Sequence, residues 1–306
     1  MDINKKKKAV AALSVISNLI LSVSKIVVGI ISGSISILSE AIHSMSDLLA
    51  SALTLFSVNK SSKPADKDHP YGHGKYEDMA GFIEGLLIIF AAFFIVYKSV
   101  QKIIFGIHCD TEAFMGIIVM LAAVIMNAVV SFLLFKVAKE SNSVSLYADG
   151  EHLRTDIYSS LGVMLGLILI HVTGHTILDP IIAIMVAVFI YLAGCSIVKR
   201  TLRNLLDYTL PNDEIKKIKQ IIQKFSDVAK LKKNTVKARQ VGPSTDIDFV
   251  LQFPHDTSIC ECHKICEEIE QSLLKVYPNS SISIHSEPIC YKKKCKKMCS
   301  ENKQEA

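Results

Sequence analysis

A chain of 306 residues that is 50% hydrophobic, with a mean hydropathy of +0.36, is too apolar for an ordinary soluble domain of its length. Its formal net charge of +5 lies beside apolar segments rather than in an aromatic-studded groove, so orientation in a membrane explains the basic residues and nucleic acid is excluded as a partner. Of eight cysteines, six crowd between Cys260 and Cys299 and only Cys109 and Cys195 lie earlier, a distribution that argues against a disulfide framework if that end faces the cytosol.

The chain opens on Lys5 to Lys8, read as a basic cytoplasmic N-terminus over residues 1–8. The apolar run behind it continues to about Ile31 without a small-residue cleavage site, which predicts a retained helix rather than a signal peptide. Further apolar stretches at 36–59, 79–104, 113–136, 148–171 and 177–199 each approach the ~20 residues that cross hydrocarbon as a helix. A polytopic α-helical membrane protein with six transmembrane helices over residues 9–204 is therefore expected.

The loops test this reading through their charge. Lys60, Lys63, Lys67 and Lys75 follow the second stretch, Lys136 and Lys139 the fourth, and Lys199, Arg200 and Arg203 the sixth. The alternate connections, Ser32–Ser34, His108–Glu112 and Val172–Thr176, carry no Lys or Arg. Lys- and Arg-rich loops stay cytoplasmic, so both termini are expected inside a cell inner or plasma membrane. Asp179-Pro180 reads as a helix start, Asp as N-cap and Pro as first helical residue.

From about residue 208 the pattern becomes that of a soluble α/β unit. Pro211, Asn212 and Asp213 start a helix with Ile215, Ile218, Ile221, Ile222 and Phe225 at helical spacing. Thr235–Gln240 and Ile247–Phe253 read as strands around a Gly242-Pro243 turn, Ser258–Val276 as a helix and Ser281–His285 as a third strand. The order αββαβ, over 208–289, gives a small sheet covered on one face by two helices. A Cys- and Lys-rich disordered tail is expected over 290–306.

The chemistry lies in charged residues within the apolar stretches. His43 and Asp47 are four residues apart in SEAIHSMSDLLAS, on one helical face, and His152 and Asp156 repeat the spacing in ADGEHLRTDIYSS. An Asp at mid-helix costs about 2.5–3.5 kcal/mol on insertion scales, so such residues are functional candidates. If the two faces meet, two imidazoles and two carboxylates converge, the ligand set of a tetrahedral zinc site. The plainer reading is hydrogen bonding between helices or snorkelling to an interface. Asp149 and Glu151 are expected near the cytoplasmic start of the fifth helix, met by water or Arg154. Glu84 suits a proton path or an interhelical hydrogen bond, and Asn18 and Lys25 read as packing and snorkelling residues.

Together with the six-span layout, the two HxxxD pairs and the loop PADKDHPYGHGKYED, the chain resembles the cation diffusion facilitators over nearly its whole length. The resemblance implies a homodimer with a ferredoxin-like cytoplasmic domain that exports a divalent cation in exchange for protons by alternating access. It places His43, Asp47, His152 and Asp156 at the transport site. Some bacterial members have Asp at the position of His43; the His form is similar to zinc-preferring branches. Asp66, His69 and His73 match a second, cytoplasm-facing metal site of some members, against the reading of a solvated loop shaped by Pro70, Gly72 and Gly74.

In the tail, His263, His285 and Glu287 match ligands of the family's cytoplasmic metal sites, whereas Asn234 and Val250 stand where members with a fuller site carry His. Cys260, Cys262 and Cys266 beside His263 offer thiolates suited to zinc, copper(I) or iron. Lysines around Cys290, Cys295 and Cys299 favour thiolates there too. Zinc or another divalent cation is thus expected as substrate and as a regulatory ligand, with no prosthetic group. Export of iron, manganese, cobalt or cadmium, or a membrane-anchored sensor without transport, are the alternative readings.

No GxxxxGK[ST] motif supports drive by ATP. An intramembrane zinc hydrolase is argued against by the absence of HExxH and by Ala148, which stands where an inverted motif around Glu151-His152 requires His.

Overall fold

The computed structural model describes residues 3–32, 35–105, 114–173 and 178–289. The chain divides into two units, Met1–Leu206 and Asp207–Ala306. The expected loop His108–Glu112 and the tail with Cys290, Cys295 and Cys299 lie outside the described residues.

Proline in the first unit is confined to Pro64, Pro70 and Pro180, so long apolar stretches are free of the residue that removes an intrahelical hydrogen bond. Six long helices form: Ile3–Ser32 (α1), Ile35–Ser61 (α2), Lys75–Phe105 (α3), Phe114–Ser141 (α4), Val144–Thr173 (α5) and Leu178–Leu205 (α6). Their 27 to 31 residues exceed what ~30 Å of hydrocarbon demands at ~1.5 Å per residue. Among the described residues, α1, α3, α4 and α6 hold stretches apolar enough to cross a membrane. Phe90, Phe132 and Phe189 stand exposed on the outside of this unit, as lipid contact requires.

Helix α6 begins at Leu178, so Asp179 and Pro180 occupy its first turn rather than the cap and first position. The turn between α4 and α5 is tight, with Asn142 at φ +51°, a left-handed conformation that Asn tolerates. Helices α3 and α6 approach through glycines. A methyl on Gly85 would sit 2.8 Å from Val198 Cγ2 and 3.2 Å from the Val198 backbone nitrogen. Gly85→Ala is therefore expected to lower the unfolding midpoint of the detergent-solubilised protein, by an overpacking cost of about 1–3 kcal/mol. An unchanged midpoint would show that the two helices part freely.

The second unit runs α7 (Asn212–Gln223), β1 (Lys230–Leu231), β2 (Lys237–Val241), β3 (Ser244–Phe253), α8 (Ile259–Leu274) and β4 (Ser280–Pro288). The two-residue β1 corrects the expected order to αβββαβ; it pairs antiparallel with the far end of β3, Lys230 opposite Gln252. Strand β2 pairs with the near end through a two-residue connection whose Gly242 has φ +56°, a conformation glycine adopts without strain. Strand β4 returns parallel to β3 after α8, which a Ser258–Glu261 capping box starts. Ile247, Phe249, Leu251 and Phe253 alternate onto one face of β3 and join Ile218 and Ile222 of α7 and Ile269 and Leu273 of α8 in one core.

Helix α1 runs from Ile3, so the basic stretch is part of it, and Lys7 is 2% exposed and ion-paired to Glu77. Two expectations about polar residues in the first unit are overturned. Lys25 does not snorkel: it is buried and donates to Ser44 Oγ of α2 at 2.7 Å. Asp149 is fully buried rather than wet, whereas Glu151 does meet Arg154 at 2.6 Å.

Candidate metal centre

Four-residue spacing puts His152 and Asp156 on one face of α5, and that face meets Asp47 of α2. His152 Nε2 lies 3.2 Å from Asp47 Oδ1, and one ligand atom each from Asp47, His152 and Asp156 come within 4.8 Å of one another. Asp47 and His152 are buried, and Asn18 of α1 donates to the Asp47 carbonyl at 3.4 Å, steadying the α2 backbone there. His43 lies on α2 one turn before Asp47; its side chain is outside the described residues.

The donor set fits a divalent cation. Two carboxylates match two positive charges, and His152 keeps Nδ1 buried without a hydrogen-bond partner. Imidazole nitrogen and carboxylate oxygen are ligands zinc accepts in tetrahedral sites.

A second group forms in the loop between α2 and α3. The His69 backbone N–H donates to Asp66 Oδ1 at 2.7 Å, the His69 Nδ1 atom lies 3.3 Å from the same oxygen, and His73 Nε2 lies 3.3 Å from Asp66 Oδ2. The imidazole rings of His69 and His73 are 4.4 Å apart, and that of His73 stacks on Tyr76. His73 is buried with neither ring nitrogen in a hydrogen bond, a cost that a bound cation would remove. The His69 N–H above all holds the Asp66 carboxyl below the usual carboxylate range, so this ligand stays ionised at neutral pH.

Among the described residues no third group of this kind gathers. His263 is 71% exposed and faces Glu267 at 3.4 Å; His285 is 72% exposed, 3.9 Å from Glu287. Lys232 takes up Glu287 at 2.7 Å and holds its carboxyl below the ordinary range. Asn234 has φ +59°, a left-handed position that suits Asn, and Val250 stands opposite His285 in the sheet. Cys260 is exposed, while Cys262 and Cys266 border a groove of about 400 Å³ with His255 and His263. Burial, and then Cys266, push the Cys262 thiol up, against the expectation of a ready thiolate.

The sequence profile of the cation efflux transmembrane domain matches residues 11–206, and that of the cation efflux protein cytoplasmic domain matches residues 210–289. The chain is a cation diffusion facilitator. It is a multi-pass membrane transporter of metal cations rather than an enzyme, with a small sheet in its cytoplasmic domain. A transporter of Methanocaldococcus jannaschii is 34% identical over 255 residues, 83% of this chain and 88% of the relative. One of Synechocystis is 31% identical over 259 residues, 85% and 83% of the two chains. The cation-efflux pump FieF of Escherichia coli K12 is 28% identical over 282 residues, 92% of each.

To Asn18, Lys25 and Glu84, which the sequence already singles out, the structure adds Ser14, Ser17, Ser22 and Thr54. Ser14, Ser17, Asn18, Ser22 and Lys25 form a buried polar face of α1, and Thr54 of α2 donates to Glu84 of α3, an interhelical hydrogen bond. The three- and four-residue steps between Ser14, Asn18, Ser22 and Lys25 are the signal that could have found that face.

Proposed function

We propose that the protein exports a divalent cation, zinc foremost, from the cytoplasm as a homodimer that exchanges it for inward-moving protons. The convergence of buried Asp47 and His152 with half-buried Asp156 between α2 and α5 carries this reading. His43, one turn before Asp47, supplies the fourth ligand of a tetrahedral site. All six helices cross the bilayer of the cell inner or plasma membrane, both termini are cytoplasmic, and the ferredoxin-like tail joins the two protomers.

Ligands must be deprotonated to bind metal, so loading from the cytoplasm releases protons, and reprotonation from outside releases the metal. Expelling two charges against ~100 mV, inside negative, costs about 4.6 kcal/mol, which inward protons offset in part. The loop group of Asp66, His69 and His73 takes up a second cation at the cytoplasmic end of the same unit.

The test is metal uptake by inverted vesicles with an imposed acidic interior. Zinc is expected to accumulate ahead of iron, manganese, cobalt and cadmium, and His43→Asp to erode that preference, because a carboxylate replaces a borderline-soft imidazole. Uptake indifferent to the imposed gradient would remove proton exchange from the reading, and equal uptake of all five metals would remove zinc.

A further inference from the structure

Among the buried acids of the membrane unit that the metal centre does not use, two keep carboxyl oxygens without a hydrogen-bond partner. Glu84 of α3 and Asp149 of α5 are both 0% exposed. Thr54 of α2 donates to Glu84 Oε1, leaving Oε2 without a hydrogen bond, and both carboxyl oxygens of Asp149 lack one. The Ser14 hydroxyl of α1 stands beside Asp149. Helix α3 packs on α5 at this level, with a methyl on Gly81 falling 3.3 Å from Val144 Cγ1 and with Ile88 and Ala148 in one core, so Glu84 and Asp149 lie near one another, each within reach of the charge of His152. Neither is ion-paired to a Lys or Arg among the described residues.

Two neighbouring carboxylates in a medium of low dielectric, with no cation bonded to either, do not both stay ionised; they share a proton and titrate as a pair. A hydroxyl adjoins each acid, Thr54 bonded to Glu84 and Ser14 beside Asp149, and a hydroxyl donates to a carboxylate and accepts from a carboxylic acid equally well. A buried acid inside a membrane that serves no packing bond marks an ion or proton path.

We infer that Glu84 and Asp149 hold one proton between them and are a further counter-ion site of the exchange, besides the metal ligands. This inference rests on the exchange proposed above. A divalent cation arriving among Asp47, His152 and Asp156 raises the positive potential at the pair, and the shared proton leaves to water on the side to which the bundle is open. When the metal departs, the uncompensated carboxylates draw a proton back from the opposite side. The coupling is Coulombic and needs no hydrogen bond between the two sites.

The experiment is infrared difference spectroscopy of the full chain in lipid, before and after zinc, with released protons counted. The wild type is expected to show the carbonyl band of a protonated carboxylic acid that zinc discharges. Glu84→Gln and Asp149→Asn keep the side-chain shapes; each is expected to lose the band and to release about one proton fewer per metal. Zinc binding, which also reports folding, is expected to persist with affinity at fixed pH lowered by roughly tenfold, since the ligands are intact and the variant cannot gain the second negative charge that proton release gives the wild type. If one variant fails to fold, the other decides. A wild type without the band, a band that zinc leaves in place, or one that persists in a folded variant overturns the inference. Acid-driven zinc flux in the same vesicles then still stands for the exchange. Flux indifferent to pH overturns the exchange itself, whatever the band does.

Discussion

Asp156→Ala is expected to abolish acid-driven zinc uptake and to remove the buried zinc site from a binding isotherm. The argument is one of charge. Asp47 and Asp156 bring two negative charges to a centre that also holds His152, so a divalent ion enters it without net charge. Removing either carboxylate leaves a net positive charge in the low dielectric of the bundle, besides an empty coordination position. Residues that merely orient a metal ligand cost about 10–100-fold in affinity when removed, so loss of the ligand itself should exceed that range. Asp156→Asn separates the two contributions: it keeps size and one oxygen donor and loses the charge. Flux at the wild-type rate in Asp156→Ala would show that the cation passes elsewhere. An unchanged isotherm with lost flux would make Asp156 a part of the moving bundle rather than of the site.

The two HxxxD spacings are legible because helical period alone puts four-residue neighbours on one face. That the face of α5 meets that of α2 is not legible, since His152 and Asp47 stand 105 positions apart and neither helix encodes its neighbour. The same holds for depth. Lys25 reads as a snorkelling residue until Ser44 is seen to receive it, and Asp149 reads as wet until α1 is seen to cover it. In the second unit, alternation along β3 is plain in its Ile, Phe and Leu, whereas a two-residue β1 is too short to alternate and exists only through its pairing with Leu251 and Gln252. The tail ligands show the converse. His263, His285 and Glu287 match a pattern, yet the fold spreads them over α8 and β4 and gives Glu287 to Lys232.

Glu77→Ala is expected to cost about 3–5 kcal/mol of stability, the usual result of removing one partner from a buried ion pair. Glu77 is 0% exposed at the start of α3 and is ion-paired to Lys7 of α1. Ser61 at the end of α2 donates to its Oε1 at 2.6 Å, and Ser143 in the α4–α5 turn and Ser145 donate to its Oε2. One carboxylate thus ties α1, α2, α3, α5 and the α4–α5 turn together, and without it the buried Lys7 ammonium is left short of an acceptor. Lys7→Met should cost less, because the three hydroxyls still satisfy the carboxylate. The double change should cost less than the sum of the two singles, since the stranded ammonium is then gone. Detergent-titration midpoints measure all three, and a Glu77→Ala midpoint equal to wild type would show that the pair is not held in the folded state. Ser61 and Glu77 also bracket the loop that carries Asp66, His69 and His73, so the hydrogen bond between them closes its two ends. Opening those ends should weaken cation capture in the loop while leaving Asp47, His152 and Asp156 in place, which separates the loop's contribution from that of the centre between the helices.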